Sequence, residues 1–463
     1  MATISPALTG SAVRLAQEWI EATTAGQTAR ERRTTGRLAA LVSDPAGLEL
    51  ALRFVDRVAR PQDVGVAARE LAGLARWTRS AGFLGPVDRT LLGLGTRLAP
   101  VLPGVVVPAA GIRLRQLVGH LVADAGPGLA GHIARARAEG FRLNLNLLGE
   151  AVLGEAEAAT RLRRVTALVE RPDVDYVSVK VSSVASQLST WDTGGSRDRV
   201  VDTLVPLYRT ARAHGTFLNL DMEEYRDLAL TVQVFEQLCA LPELADAPMG
   251  VVLQSYLPDS HDALDEITGI ARRRVGAGGA RVKVRLVKGA NLAMEQVEAE
   301  LHGWPQAPYP TKAEVDASFV RLMDRALDPD RTRVVRVGVA SHNLFHVALG
   351  HLLAAERGVG EALDIEMLQG MAPAQARAVR DTVRAGATSG SVILYTPAVA
   401  RSDFDVAIAY LVRRLEENAA AQNFLHALFA GADAGLAGQQ AAFLDSVRDS
   451  ETVSTAPRRV ARG

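Results

Sequence analysis

Two patterns of apolar residues divide the chain, and the first of them is helical. Up to about residue 130, apolar residues recur three or four positions apart, as Leu15, Trp19 and Ile20 illustrate. Residues 60–63, with the sequence RPQD, are typical of a turn between two helices. No convincing strand appears in this region, so we predict an all-helical N-terminal domain over residues 1–130.

The second pattern is an alternation of strands and helices. From about residue 141, short runs of β-branched and apolar residues alternate with long helical stretches. The runs are residues 142–148, 176–182, 216–222, 250–256, 281–288, 336–341, 364–368 and 391–397. About eight repeats of this kind predict an α/β fold, a (βα)8 barrel of the TIM type over residues 131–444. A doubly wound sheet would also alternate, but with fewer strands and a glycine-rich fingerprint that this chain lacks.

Two further segments follow the last predicted strand. Residues 402–420 carry an amphipathic pattern that predicts one more helix. Residues 445–463 show no apolar period, so we expect them to form a flexible C-terminal tail or linker.

Composition and charge exclude several classes of protein. Lysine plus arginine and aspartate plus glutamate each number 52 in 463 residues, so no net charge attracts nucleic acid. The single cysteine, Cys239, excludes a disulfide framework. There is no signal-peptide pattern and no apolar stretch of membrane-spanning length, which favours a cytoplasmic protein and leaves peripheral attachment at the inner face of the membrane open. Neither a phosphate loop nor an HExxH motif occurs, and we expect no metal site.

Polar side chains follow the predicted strands at or near their carboxyl ends. These are Glu150, Lys180, Asp221, Gln254, Arg285, Lys288, Ser341, His342, Asn343 and Tyr395. Charged groups within apolar strands are costly to bury unless they are paired, and the active sites of TIM barrels lie at this end. The pattern therefore favours a functional site at the carboxyl-terminal rim of the barrel.

The predicted last helix carries a second cluster of polar residues. Tyr410, Arg413, Arg414 and Glu417 fall at i, i+3, i+4 and i+7, which is one stripe of a helix. Two adjacent guanidinium groups braced by a carboxylate suit a bidentate clamp for a ligand carboxylate. A solvated face with local Arg–Glu pairs explains the same spacing equally well.

Four motifs resemble the proline dehydrogenase family, specifically the flavoenzyme domain of bifunctional proline utilization A proteins. They are Arg285-Leu-Val-Lys-Gly-Ala290, Ser341-His-Asn343, Leu368-Gln-Gly-Met371 and Tyr410-Leu-Val-Arg-Arg-Leu-Glu-Glu417. The resemblance runs from about Arg142 to Phe429 and implies a (βα)8 barrel that carries non-covalent FAD.

The resemblance also implies roles for individual residues. Arg413 and Arg414 match the clamp for the carboxylate of L-proline. The other residues at substrate-site positions are Lys180, a third cation; Glu417 and Glu150, the braces; Tyr395, Tyr410 and Leu368, the walls around the proline ring; and Asp221. The residues at FAD-binding positions are Gln254, Arg285, Val287, Lys288, Gly289, Ala290, His342 and Asn343.

The implied reaction is the oxidation of L-proline to Δ1-pyrroline-5-carboxylate. A hydride equivalent passes from proline C5 to flavin N5, and the electrons go on to a quinone. Such a reaction requires the protein to orient the substrate rather than to supply a strong base. The implied further partner is an aldehyde dehydrogenase domain or enzyme that takes the product.

The sequence departs from the family in two respects. Asn291 stands where many members have tyrosine, which affects closure of the pocket and selectivity for substituted proline rings. Tyr395 still resembles the family residue that disfavours a 4-hydroxyl group. No aldehyde dehydrogenase segment follows the barrel, so we expect either a stand-alone dehydrogenase or a fragment of a longer protein.

Two other hypotheses stay open at this point. A lysine inside a strand is also typical of barrel lyases and aldolases, in which Lys180 would form a Schiff base. The second hypothesis is a non-catalytic binding module that retains the barrel, and Asn291 is the only residue that supports it.

Overall fold

The structure is a computed structural model, and it describes most of the chain. The described residues are 4–42, 44–59, 61, 63–77, 84–118, 121–149, 154–186, 188, 192–289, 291–386, 390–400, 407, 410, 422–430 and 433–459.

The centre of the molecule is a closed barrel of eight parallel strands. Its strands are β2 (Arg142–Leu147), β3 (Tyr176–Lys180), β4 (Phe217–Asp221), β5 (Met249–Gln254), β6 (Val282–Val287), β7 (Val335–Ala340), β8 (Leu363–Leu368) and β9 (Val392–Val399). Neighbours in sequence pair in parallel, and β9 pairs with both β8 and β2, which closes the barrel. All eight predicted strands and the predicted barrel are confirmed.

One short strand contradicts the expectation that the first 130 residues contain none. β1 (Ala123–Asp124) pairs in parallel with the end of β9, where Ala123 lies opposite Ala398. Two residues are too few to show an alternating pattern, so the sequence carries no signal for this strand.

Helices surround the barrel and precede it. Before β1 lie α1 (Pro6–Ala25), α2 (Ala29–Val42), α3 (Pro45–Phe54), α4 (Val64–Gly73), α5 (Pro86–Leu98) and α6 (Pro103–Val118). The later ones are α7 (Leu129–Ala138), α8 (Glu155–Val169), α9 (Val181–Val184), α10 (Thr193–His214), α11 (Asp227–Ala240), α12 (Ser260–Gly276), α13 (Leu292–His302), α14 (Lys312–Ala326), α15 (Pro329–Thr332), α16 (Leu344–Glu356), α17 (Pro373–Ala385), α18 (Phe424–Ala430) and α19 (Asp433–Asp449). Within the described part of the chain, no helix combines the length and the apolar composition that a membrane span requires.

The first helix packs on the barrel. Leu8, Ala12, Ala16 and Trp19 form one buried stripe of α1 and belong to the same apolar cluster as the barrel residues. Trp19 Nε1 also donates a hydrogen bond to Thr382 Oγ1 of α17 at 2.7 Å. Helix α1 is therefore stabilised in part by its contacts with the barrel.

Helices α3 to α6 bury a second, smaller apolar cluster. Its buried members are Leu50, Val58, Ala68, Leu71, Leu74 and Ala99. The domain boundaries at residues 130 and 444 stay predictions.

The expected flexible tail differs from the structure over the first part of its length. Residues 445–449 complete α19, and several of the residues that follow contact the loops and helices around the barrel. Tyr309 Oη donates to the carbonyl of Ser454 at 2.5 Å, and Arg321 Nη1 donates to the carbonyl of Val453 at 2.7 Å. The guanidinium of Arg459 stacks 3.9 Å from the ring centre of Trp304. These contacts use backbone carbonyls and a cation, so an apolar period in the tail is not needed for packing.

The helix predicted over residues 402–420 lies outside the described residues, apart from residues 407 and 410.

Candidate active site

A cavity of about 380 Å³ opens at the carboxyl ends of the strands. Every strand from β2 to β9 contributes at least one lining residue, because parallel strands all end at the same rim. The predicted site residues that line it are Lys180, Asp221, Gln254, Arg285, Val287, Lys288, Gly289, His342, Asn343, Leu368, Tyr395 and Tyr410. The predicted residues Glu150, Ala290, Arg413, Arg414 and Glu417 lie outside the described part of the chain.

The floor of the cavity is an ion pair with two hydrogen bonds. Arg285 Nη2 lies 2.7 Å from Asp221 Oδ1, and Tyr395 Oη donates to Asp221 Oδ2 at 3.0 Å. Asn146 Nδ2 donates in turn to Tyr395 Oη at 2.5 Å, and the guanidinium of Arg285 stacks 4.9 Å from the Tyr395 ring centre. The network joins four strands, β2, β4, β6 and β9, so closure of the barrel assembles it.

Burial and charge act in opposite directions on this network. Burial opposes the charge of Arg285, but the carboxylates of Asp221 and Glu366 outweigh it and raise the pKa of the guanidinium above its usual range. Burial, assisted by the Asp221 carboxylate, holds the pKa of Tyr395 well above its usual range. The tyrosine therefore remains a neutral donor at physiological pH.

One side of the cavity carries a lysine held by a residue that the sequence analysis missed. Lys180 Nζ lies 2.5 Å from Glu223 Oε1, just beyond the end of β4. The backbone around Glu223 is fixed from two sides. Gln254 Nε2 donates to its carbonyl at 3.2 Å, and Asn291 Nδ2 donates to the same carbonyl at 2.8 Å.

Another side of the cavity carries two lysines that share one carboxylate. Lys288 Nζ lies 2.5 Å from Asp316 Oδ1, and Lys312 pairs with the other oxygen. Although burial opposes it, the two cations hold the pKa of Asp316 below its usual range. Both lysines line the cavity, so this side presents a net positive charge.

A buried histidine completes the surroundings of Lys288. Ser446 Oγ donates to the carbonyl of Phe443, so it accepts a hydrogen bond from His346 Nε2 at 3.3 Å. That assignment leaves Nδ1 as the acceptor facing Lys288 Nζ at 3.4 Å. Burial and the Lys288 charge keep the pKa of His346 well below its usual range, so the ring is neutral.

The segment after β7 is held by its polar side chains. His342 Nε2 accepts a hydrogen bond from the backbone N–H of Leu368 at 2.9 Å, so its Nδ1 carries the hydrogen directed at Gln375 Oε1. Asn343 caps α16 by accepting from the backbone N–H groups of Phe345 and His346. A helix N-terminus thus borders the cavity.

The glycine that follows β6 and Lys288 has a conformation that other residues rarely adopt. Gly289 has a φ of +122°, and a Cβ at this position would lie 2.5 Å from the ring of Tyr256. The backbone therefore passes next to the cavity with no room for a side chain.

Several residues that shape the cavity escaped the sequence analysis. They are Asn146, Glu223, Lys312 and Glu366, which line it, and Lys283 and Asp316, which pair with lining residues. Alternation along β2, β6 and β8 could have found Asn146, Lys283 and Glu366, because residues two apart on a strand face the same side. Glu223, Lys312 and Asp316 lie in loops and helices, where the local sequence carries no comparable signal.

Comparison with known proteins gives a consistent result. A model of the proline dehydrogenase family matches residues 129–427. The bifunctional protein PutA of Salmonella typhimurium is 28% identical over 323 residues, which cover 65% of this chain and 23% of that protein. The proline dehydrogenase of Deinococcus radiodurans is 28% identical over 238 residues, covering 50% of this chain and 67% of the relative. This chain thus spans about a quarter of the length of the bifunctional relatives.

Two solved structures of proline utilization A extend the comparison to three dimensions. The protein from Corynebacterium freiburgense shares 50% sequence identity, with a TM-score of 0.68 over 79% of this chain and 36% of the other. The protein from Bdellovibrio bacteriovorus, inactivated by N-propargylglycine, has a TM-score of 0.76 at 25% identity over 98% of this chain and 45% of that one. The family match covers more than half of the sequence and the whole described barrel core, so the chain belongs to the proline dehydrogenase family.

Proposed function

We propose that this protein catalyses the FAD-dependent oxidation of L-proline to Δ1-pyrroline-5-carboxylate and passes the electrons to a quinone. The observation that carries the proposal is the coincidence of the family match with a cation-lined cavity at the carboxyl rim of the barrel. A cytoplasmic location with peripheral membrane contact and an aldehyde dehydrogenase that consumes the product belong to the same proposal.

The residues of the cavity fit a flavin dinucleotide. Lys288 and Lys312 supply the positive charge that suits a pyrophosphate, and Gly289 brings backbone without a side chain to the lining. Together with Ala290, the residues that would hold FAD are Gln254, Arg285, Val287, Lys288, Gly289, His342 and Asn343. When bound, FAD supplies a hydride acceptor at its N5 atom, which no side chain can provide.

The remaining residues orient the substrate. We assign the proline carboxylate to Arg413 and Arg414, with Lys180 as a third cation and Glu417 and Glu150 as braces. Tyr395, Tyr410 and Leu368 would press C5 of the ring toward the flavin, and Asp221 would keep Tyr395 in place. Fixed orientation of this kind accelerates a reaction without a strong base in the site.

A spectroscopic titration tests the activity. The purified protein should show the absorbance of an oxidised flavin, and anaerobic L-proline should bleach it with formation of Δ1-pyrroline-5-carboxylate. A flavin-loaded protein that proline does not reduce would contradict the proposal.

Substitution of the arginines tests the clamp. Arg413→Met and Arg414→Met should each raise the KM for proline at least tenfold, because a charge-assisted pair to the carboxylate is lost. Arg448→Met is a matched control, since Arg448 is exposed on α19 and its ion pairs among the described residues are with the nearby acids Asp445 and Asp449. An unchanged KM in the first two variants would refute the clamp.

The lyase and binding-module hypotheses lead to different results. A Schiff base requires an amine that is free to attack a carbonyl, whereas Lys180 Nζ lies in an ion pair, 2.5 Å from Glu223 Oε1. Borohydride trapping with a keto acid should therefore leave Lys180 unmodified. A binding module would bind proline without bleaching.

A further inference from the structure

Two buried cations lie one above the other inside the barrel. Lys283 and Arg285 are two residues apart on β6, so both side chains point to the inner face of the sheet. Their side chains are only 2% and 6% exposed, and Arg285 reaches the cavity whereas Lys283 lies beneath it. Like charges this close in a medium of low dielectric constant repel each other strongly.

One carboxylate lies between these two cations. Glu366 Oε1 is 2.7 Å from Lys283 Nζ, and Glu366 Oε2 is 3.8 Å from Arg285 Nη1. Its side chain is 1% exposed, and it lines the floor of the cavity. The packing leaves space for this group, because a Cβ on Gly338 would lie 2.5 Å from Glu366 Oε1.

A second carboxylate touches Lys283 from below and differs in its surroundings. Asp364 Oδ2 lies 2.8 Å from Lys283 Nζ, but Asp364 also pairs with Arg336 and accepts hydrogen bonds from Ser391. It does not line the cavity. Asp364 is thus balanced by a cation at the base of the barrel, whereas Glu366 is balanced by Lys283 and Arg285.

We propose that Glu366 is a positioning residue for the site, because its carboxylate cancels the charge of Lys283 and thereby keeps Arg285 paired with Asp221 beneath the ligand. Without Glu366, Lys283 would push the guanidinium of Arg285 away from the barrel axis and add an uncompensated positive charge under the cavity. Without Lys283, the carboxylate would carry the uncompensated charge instead. The consequence for bound FAD rests on the proposed function.

A double-mutant cycle tests this inference. Glu366→Gln should shift the midpoint potential of the bound flavin to more positive values, since added positive charge favours the reduced, more negative state. Lys283→Met should shift it to more negative values. The double variant Lys283→Met/Glu366→Gln should return it to the wild-type value, and Asp364→Asn should leave it unchanged. If Glu366 had only a structural role, the two single variants would not shift the midpoint potential in opposite directions.

Crystal structures of the same variants supply a second measurement that needs no flavin. The Arg285–Asp221 pair should be broken in Glu366→Gln and intact in the double variant and in Asp364→Asn. Single variants that shift the potential in the same direction, or a Glu366→Gln structure with the pair intact, would overturn the inference. If either single variant does not fold, the double variant still decides. A displaced Arg285 or a changed flavin potential in that double variant would overturn the inference.

The two proposals can fail separately. A wild-type protein that binds no flavin or does not oxidise proline removes the proposed function. The position of Arg285 in the variant crystals still decides whether Glu366 acts as inferred.

Discussion

The two carboxylate oxygens of Asp221, at the floor of the cavity, differ in their hydrogen-bond donors. Its Oδ1 accepts from Arg285 and from Asn219 Nδ2, whereas its Oδ2 accepts from Tyr395 Oη. A buried carboxylate oxygen that loses such a donor keeps the cost of its desolvation. The tyrosine hydroxyl is therefore more important for stability than its size suggests.

Removal of that hydroxyl gives the first prediction at this scale. Tyr395→Phe should lower the free energy of unfolding by about 1–3 kcal/mol, as urea denaturation would measure. Tyr208→Phe is the control, because Tyr208 is a buried tyrosine whose hydroxyl has no hydrogen-bond partner among the described residues. If both variants lost the same free energy of unfolding, the hydrogen bond from Tyr395 to Asp221 would not be the cause of the loss.

A second prediction at the residue scale concerns Gly289. Gly289→Ala should destabilise the protein by about 1–3 kcal/mol through its positive φ, and the clash with Tyr256 should also weaken retention of the FAD proposed above. Gly303→Ala has the same kind of backbone strain, with a φ of +63°, but nothing lies within 4 Å of its Cβ. Thermal unfolding and flavin dissociation should separate the two, since only Gly289→Ala is expected to release the flavin.

At the scale of elements, one ion pair joins the helical region to the barrel. Arg377 of α17 forms a bidentate pair with Glu31 of α2, with N–O distances of 2.7 and 2.8 Å. The same guanidinium donates to the carbonyl of Gly26 at 3.0 Å. Hydrogen bonding from Arg377 is the main cause that lowers the pKa of Glu31 from 4.5 to about 2.

That shift predicts a defined dependence of stability on pH. Because the pKa is lower in the folded state, the pair stabilises the protein above pH 4.5, and the gain is lost as the pH falls from about 4.5 to about 2. Glu31→Gln should cost on the order of 1–3 kcal/mol at pH 7 and flatten the profile in this window. Glu49→Gln, which breaks a more exposed pair with Arg53 within α3, should change the unfolding free energy by less than about 1 kcal/mol.

At the scale of the whole molecule, the two largest of the three apolar clusters in the described core lie in different parts of the chain. The larger includes the barrel and α1, and the smaller is confined to α3–α6 and the turns between them. Regions that share few apolar contacts can open independently of one another. The clusters therefore predict two levels of stability within one chain.

Hydrogen exchange can detect this division. Leu71→Ala should cost about 2–5 kcal/mol in the smaller cluster and increase amide exchange over residues 45–110, with little change in the barrel strands. Trp19→Ala should instead loosen α1 and the helices of the barrel on which it packs, since Trp19 is 2% exposed and bonded to Thr382. Uniform acceleration across the chain in the Leu71 variant would mean that the two clusters unfold as one.

The sequence by itself was sufficient for the barrel and for the rim at which its site lies. Strand and helix periods are local properties, so all eight strands could be identified along the chain. Parallel strands bring their carboxyl ends to one rim, which is why Lys180, Asp221, Arg285 and Tyr395 could be predicted to converge. The family resemblance supplied roles that no periodicity carries.

Only the tertiary structure decided which charges pair and what packs on the barrel. Lys180 pairs with Glu223, 43 positions away, and Arg285 pairs with Asp221, 64 positions away. The placement of Glu366 between two cations depends on closure of the barrel. Such contacts join residues that are distant in sequence, so their energies depend on how the strands and helices are arranged in space and leave no periodic trace along the chain.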